Sequence, residues 1–212
     1  MSEGRGDDFG AGQAHDALSL AYLVLARYED ALSHTRAAID IYVGLGSPEA
    51  EGYVANVRAM ALVGLGRLDE GIQALEQGLA NPRGDDNPRL EGFVLFNLAV
   101  LHRRRGDRPA ATRHAALAVD ALARLGQAAE GPAAAALLRA LRAAADGDRR
   151  SEAEALLDCA EGSVLCADLH SPADVAQDAQ RLAGDIGSAE LSERAAAVLN
   201  RLAARRDPGA VP

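Results

Sequence analysis

A repeat of about 40 residues constrains this sequence more than any other feature. Glu51-Gly52, Glu91-Gly92 and Glu130-Gly131 each open an apolar segment, and these starts lie 40 and 39 residues apart. Each segment leads into a second, alanine-rich segment. Self-similarity at this period, with two helices per unit, predicts a stack of helical hairpins that bury one another's apolar faces. The expected fold is therefore an all-α solenoid of about five hairpins, or about ten helices.

Small residues recur at fixed places within each repeat. The four series are Ala26, Gly66, Gly106 and Gly147; Ala31, Gly71 and Ala111; Ala38, Gly78 and Ala118; and Ser19, Ala59 and Ala99. Small side chains at constant offsets indicate where two helices cross closely, because a larger side chain would separate the helix axes. Glu152 falls where the fourth repeat should have a small residue, which indicates one inserted residue in that repeat.

Proline and glycine mark the predicted helix ends. Ser47-Pro48 and Asn87-Pro88 each offer an N-cap followed by proline at the first helical position, and Gly46 and Gly126 follow helix ends. The predicted helices cover 13–26 and 28–44, 48–65 and 68–80, 88–105 and 108–125, 130–146 and 151–167, and 171–184 and 189–205. The predicted domain organisation is a flexible tail over 1–12, a single repeat domain over 13–206, and a tail over 207–212.

Composition excludes several functional classes. All 22 basic residues are arginine, so the lysine of a phosphate-binding loop and a Schiff-base lysine are both absent from this sequence. A formal net charge of −9 argues against direct binding to nucleic acid. Because no apolar run is long enough for a membrane span, we expect a soluble, cytoplasmic protein that does not bind a membrane. No motif indicates a cofactor.

Three segments resemble the turn and second helix of tetratricopeptide (TPR) repeats. They are "LARYEDALSHTRAAIDI" (25–41), "LGRLDEGIQALEQGL" (65–79) and "RGDRPAATRHAALAV" (105–119). The resemblance is clear over 13–125 and degenerate over 126–206. A period near 40 is similar to the TPR repeats of bacterial transcriptional regulators. This resemblance implies a non-catalytic scaffold that binds a protein or peptide in a concave groove, in bacterial regulation or assembly.

In such a stack, one face of each first helix is expected to line the groove. The predicted partner-binding residues are Asn56, Met60, Phe93, Phe96, Asn97, Val100 and Arg104. By the same helical spacing the first repeat contributes Asp16, Leu20, Leu23 and Val24. Apolar walls anchor side chains of a peptide, and the carboxamides pair with its main chain. The alternative is that Phe96 and Met60 belong to the core between repeats.

Other interpretations of the sequence stay open. The run "HRRRGDR" (102–108) either meets a carboxylate-rich partner or complements the dipole at a helix C-terminus. Cys159 and Cys166 are expected to be buried small hydrophobes, with a zinc cluster including His170 as the alternative. No HExxH, GxSxG or GxGxxG motif occurs, so no catalytic or metal site is predicted. A small-molecule or enzymatic pocket closed by the C-terminal hairpins, and self-association as a homodimer, are the remaining alternatives.

Overall fold

The structure is a computed structural model that describes residues 3–80, 87–125, 131–165 and 172–206. The described residues contain no strand and form ten α-helices. In chain order these are α1 (Glu3–Val24), α2 (Tyr28–Leu45), α3 (Pro48–Gly64), α4 (Leu68–Ala80), α5 (Pro88–Arg105), α6 (Arg108–Ala123), α7 (Gly131–Asp146), α8 (Arg149–Leu165), α9 (Pro172–Asp185) and α10 (Ala189–Arg206). Nine of the ten start within two residues of the predicted positions.

Helix α1 begins at Glu3, whereas the sequence predicted a helix start at residue 13; a flexible tail over 1–12 stays a prediction. Contacts with α2 explain this extension. The ring centroids of Phe9 and Tyr42 lie 5.8 Å apart, and Gly12 is buried against the same tyrosine. A Cβ atom at Gly12 would lie 2.7 Å from Cε1 of Tyr42, so only glycine allows this approach. Packing on α2 therefore outweighs the poor helix propensity of a glycine-rich segment.

The first series of small residues has a different cause from the one predicted. These residues occupy the turns within the hairpins and adopt left-handed backbone angles. Their φ values are +56° for Ala26, +79° for Gly66, +85° for Gly106 and +75° for Gly147. Gly187, which lies between α9 and α10, has a φ of +69° as well. A positive φ favours glycine because a Cβ atom clashes with the backbone there. The series marks tight turns, and the prediction of close helix crossings at these positions is wrong.

Close crossing does explain the series that contains Gly71. Ala31, Gly71 and Ala111 are all fully or nearly fully buried. A Cβ atom at Gly71 would lie 3.1 Å from the backbone oxygen of Ala59, in the preceding helix of the same hairpin. The helices α3 and α4 therefore approach one another along small side chains. In the fourth repeat Ala153 is buried and Glu152 is half-buried, in agreement with a shift of one residue.

Contacts divide the chain into two compact units, residues 1–101 and 102–212, and the division falls within α5. In the first unit a core cluster joins α3, α4 and α5. Its members are Ala59, Leu62, Ile72, Ala74, Leu75, Leu90, Val94, Leu98 and Leu101. A single repeat domain over 13–206 stays a prediction.

In the second unit, α8 contacts α7, α9 and α10. Its apolar side chains Leu156 and Leu157 are fully buried. The Arg194 guanidinium on α10 donates to both Asp158 and Glu161 of α8, with nitrogen–oxygen distances of 2.7 Å. The hydrogen bond from Arg194 holds the pKa of the Glu161 carboxyl below its usual range. This network fixes α10 against α8.

Candidate functional site

Asn56 on α3 and Asn97 on α5 form a buried carboxamide pair. Nδ2 of Asn97 donates to Oδ1 of Asn56 at 3.1 Å. Both side chains are fully buried. The second polar atom of each, Nδ2 of Asn56 and Oδ1 of Asn97, has no hydrogen-bond partner among the described residues. One donor group and one acceptor atom of the pair therefore remain without a partner at the contact between α3 and α5, the first helices of two successive hairpins.

The apolar residues predicted to line an open groove are also inside the protein. Phe93, Phe96 and Val100 are buried, and Met60 is half-buried against the core cluster. The prediction of a solvent-exposed stripe is therefore wrong for these residues and for the two asparagines. The physical reason is the close approach of the helices, which places the face at i, i+4 and i+7 between neighbouring elements instead of on a surface.

The stripe of the first repeat is divided between surface and interior. Leu20 and Val24 are exposed, whereas Asp16 and Leu23 are half-buried. Burial raises the pKa of the Asp16 carboxyl above its usual range. These four side chains therefore do not continue one open surface.

Arg104 is the predicted site residue that remains exposed. Its guanidinium donates to Asp174 on α9 at 3.1 Å, and both side chains are 48% exposed. The neighbouring Arg103 is more buried and pairs with Asp178, which also accepts from Arg181. The two arginines at the end of α5 thus contact the first turns of α9.

Asp174 and Asp178 were not predicted as site residues. The sequence explains Asp174 by a local effect, because a carboxylate in the first turn of a helix complements the helix dipole. The pairing with α5 joins residues 70 positions apart along the chain. Periodicity within a single helix carries no information about such a contact.

A cavity of about 180 Å³ lies beside Arg103, between α5, α6, α7 and α8. Arg108 and Glu152 supply polar groups, and Leu141 and Leu156 supply apolar walls. Ligand sites in proteins usually enclose about 300–1,000 Å³. This cavity therefore lacks the space for a ligand of ordinary drug size, and it gives no support to the small-molecule alternative.

The remaining predictions concern cysteines, metals and membranes. Cys159 is buried, as expected, whereas Cys166 and His170 lie outside the described residues. Over the ranges that the structure describes, no three His, Cys, Asp or Glu side chains come together as metal ligands. Within the same ranges, no helix has both the length and the apolar character that a bilayer span requires.

The hairpin architecture defines the chain as a TPR-like helical-repeat protein. No family model matches the sequence. No curated protein matches it either. Among solved structures, the chain is similar to a Podosopora anserina protein described as a putative kinesin light chain with nearly identical TPR-like repeats. A variant of that protein with one substituted residue matches with a TM-score of 0.57 and 18% identity, covering 90% of this chain and 95% of that chain.

A second structure, without that substitution, gives a TM-score of 0.53 and 16% identity over 92% of this chain and 96% of that chain. Both matches extend beyond residues 13–125 and so include the degenerate repeats. At these identities the likeness concerns the fold alone. It confirms the predicted all-α solenoid of TPR-like hairpins.

Proposed function

We propose that this protein is a non-catalytic scaffold that binds a segment of another protein. The repeated hairpin is the observation that carries this proposal, because stacked hairpins present an extended surface whose side chains vary independently of the packing. TPR-like folds commonly have this role. A cytoplasmic location and a part in bacterial regulation or assembly belong to the same proposal.

The exposed arginines at the end of α5 suggest the chemistry of the partner. Among the described residues, Arg104 is held by an ion pair with an exposed carboxylate. Exposed ion pairs contribute about 0–1 kcal/mol, so a partner carboxylate can replace Asp174 at little cost. We therefore favour an acidic segment, whose carboxylates pair with Arg104 after Asp174 is displaced.

Capture of partners from an extract of the native cells tests this proposal. Arg104→Glu reverses the charge at the proposed contact, and Arg113→Glu makes the same change at an exposed arginine on α6. We expect Arg104→Glu to lose a protein that the wild type and Arg113→Glu retain. Added salt should weaken that capture, because exposed charges are screened.

Asp174→Asn provides a second variant, which removes the carboxylate partner of Arg104 and leaves the arginine itself in place. It frees Arg104 from its internal partner, so we expect stronger capture of the same protein. Thermal unfolding of each variant checks that the fold is intact. Equal capture by the wild type, Arg104→Glu and Asp174→Asn would contradict a role for this arginine in binding.

A further inference from the structure

His15 on α1 and His34 on α2 form a hydrogen-bonded pair of imidazoles. Their Nδ1 atoms lie 2.8 Å apart, and both residues are half-buried. The ring centroids are 5.1 Å apart, close to the nitrogen–nitrogen distance plus the radius of each ring, so the two rings meet end to end. Tyr22 of α1 stacks on the His34 ring, with centroids 5.3 Å apart and an interplanar angle of 16°. The pair is therefore a direct polar contact between the two helices of the first hairpin.

A hydrogen bond between two Nδ1 atoms depends on how many protons the pair of rings carries. In the neutral pair, one Nδ1–H donates and the other Nδ1 accepts, so the accepting ring has its proton on Nε2. One added proton gives an imidazolium that donates to a neutral imidazole, and a charged donor makes the stronger bond. With two added protons, both Nδ1 atoms carry hydrogen, so no acceptor remains and two cations face each other. The contact between α1 and α2 therefore survives one added proton but not two.

The charged groups around the pair do not compensate a second positive charge. Among the described residues, neither imidazole forms an ion pair with a carboxylate. On α1, burial raises the pKa of the neighbouring Asp16 carboxyl, so acid also removes that negative charge. At the start of α2, the Arg27 guanidinium lies 4.5 Å from the centre of the Tyr22 ring and is paired with Asp30. On α3, which contacts both helices, Arg58 is exposed.

Helix α1 completely buries few of its own side chains, so the loss of one contact matters there. Over residues 8–24, only Gly12 and Ser19 are buried. The first half of the helix is rich in glycine and has a low helix propensity. A helix of this composition forms only while it packs on a neighbour. Loss of the histidine contact should therefore release α1 and allow it to unwind, which uncovers buried side chains of α2 such as Tyr42.

We propose that the His15–His34 pair is a pH switch, which holds α1 on α2 at neutral pH and releases α1 when both imidazoles are protonated. In the released helix both imidazoles take up a proton below about pH 6.5, the value at which a free imidazole titrates, whereas the hydrogen-bonded pair takes up one. Release is thus accompanied by proton uptake, so the attachment of α1 weakens as the pH falls from about 7 to about 5. This inference does not depend on the proposed function.

Amide hydrogen exchange of α1, corrected for the intrinsic effect of pH on exchange, tests the proposal. Between about pH 7.5 and about pH 5, protection of α1 in the wild type should fall by about tenfold, because one hydrogen bond is lost and two cations approach. His15→Asn is the matched variant, since a carboxamide in place of the imidazole can either donate to or accept from His34. Its protection should change by less than about twofold. Asp16 is present in both proteins, so the difference isolates the histidines. Equal losses in the two proteins, or constant protection in the wild type, would overturn the proposal.

Nitrogen NMR of the imidazole rings in the wild type tests the proton count without any substitution. Protonated and bare ring nitrogens differ in chemical shift, so the spectra of His15 and His34 report when the second Nδ1 gains its proton. We expect this step to coincide with the loss of α1 protection. Phe9→Ala weakens α1 through its apolar contact with Tyr42, so its loss of protection relative to the wild type should be the same at both pH values. Uptake of the second proton while α1 stays protected would contradict the switch.

Discussion

At the scale of single residues, the pair Asn56 and Asn97 combines deep burial with incomplete hydrogen bonding. Asn97→Ala leaves the Asn56 carboxamide buried without its partner, so we expect a loss of about 1–3 kcal/mol in the free energy of unfolding. Asn56→Ala should cost a similar amount. The double variant should cost less than both losses together, because no carboxamide then remains buried alone. Chemical denaturation of the four proteins measures this coupling.

Additive losses would mean that the hydrogen bond between the two asparagines contributes nothing measurable. The control is Asn200→Ala at an exposed position on α10, where we expect a change within about 0.5 kcal/mol.

Asp16 provides a test of pH dependence. Burial raises the pKa of its carboxyl, so the folded protein holds this proton more tightly than the unfolded chain does. The carboxylate therefore lowers stability once the pH exceeds its folded pKa, and it has no such effect below the unfolded value of about 3.9. We expect Asp16→Asn to raise the thermal midpoint at pH 7. The gain should vanish below about pH 3, where the carboxyl is protonated in both states.

Asp40→Asn on the exposed side of α2 is the control for Asp16→Asn, and its effect should be smaller at neutral pH. A gain from Asp16→Asn that persists unchanged at low pH would show that ionisation is not its cause.

The sequence could identify which residues share a face of α3 and α5, but not whether that face is open. Helical spacing correctly groups Phe93, Asn97 and Val100, since side chains at i, i+4 and i+7 lie together. Whether the group meets solvent depends on how closely other helices approach. That distance depends on contacts between helices, such as the one of Gly71 with Ala59 in the hairpin of α3 and α4. The sequence of one helix taken alone does not contain this information.

At the scale of elements, the turns within the hairpins share one backbone conformation. Ala26 adopts it with a φ of +56°, where the later turns have glycine. Ala26→Gly should therefore raise the free energy of unfolding by about 0.5–1 kcal/mol, because relief of the strain exceeds the added entropy of the unfolded chain. The reciprocal change Gly66→Ala introduces the same strain, so it should lower the free energy of unfolding by about 1 kcal/mol.

Denaturant unfolding of the two variants measures both changes, and far-UV circular dichroism checks that helicity is retained. Both positions are exposed, so burial does not complicate the comparison. A loss of stability on Ala26→Gly would contradict the assignment of strain to this turn.

Helix starts followed from local chemistry wherever proline supplied a signal. Pro48, Pro88 and Pro172 each begin the helix that the sequence predicted at or next to that position. The start of α1 could not be predicted, because it depends on the contact of Phe9 and Gly12 with Tyr42 of another helix. Local propensity therefore predicted the starts of the repeated helices, but it did not predict the start of α1, which packing on another helix extends.

At the scale of the whole molecule, the repeat period determined the fold class. It predicted hairpins over the clear repeats, and the helical pattern continues through α7, α8, α9 and α10. The binding surface could not be predicted in the same way, since each residue of the predicted stripe lies on a correctly predicted helix and most of them are buried. The fold depends on the repeated pattern, whereas the free surface depends on how the repeats meet.

In the hairpin of α3 and α4, the two helices close on one another through small residues at fixed positions. The unfolding free energies of Gly71→Ala and Gly44→Ala test it most directly. Both residues are in helices, but a Cβ atom at Gly71 would lie 3.1 Å from the Ala59 oxygen, and a Cβ atom at Gly44 would meet nothing within 4 Å. We predict a loss of at least about 1 kcal/mol for Gly71→Ala and a gain of up to about 1 kcal/mol for Gly44→Ala. Equal gains for both variants would contradict the claim.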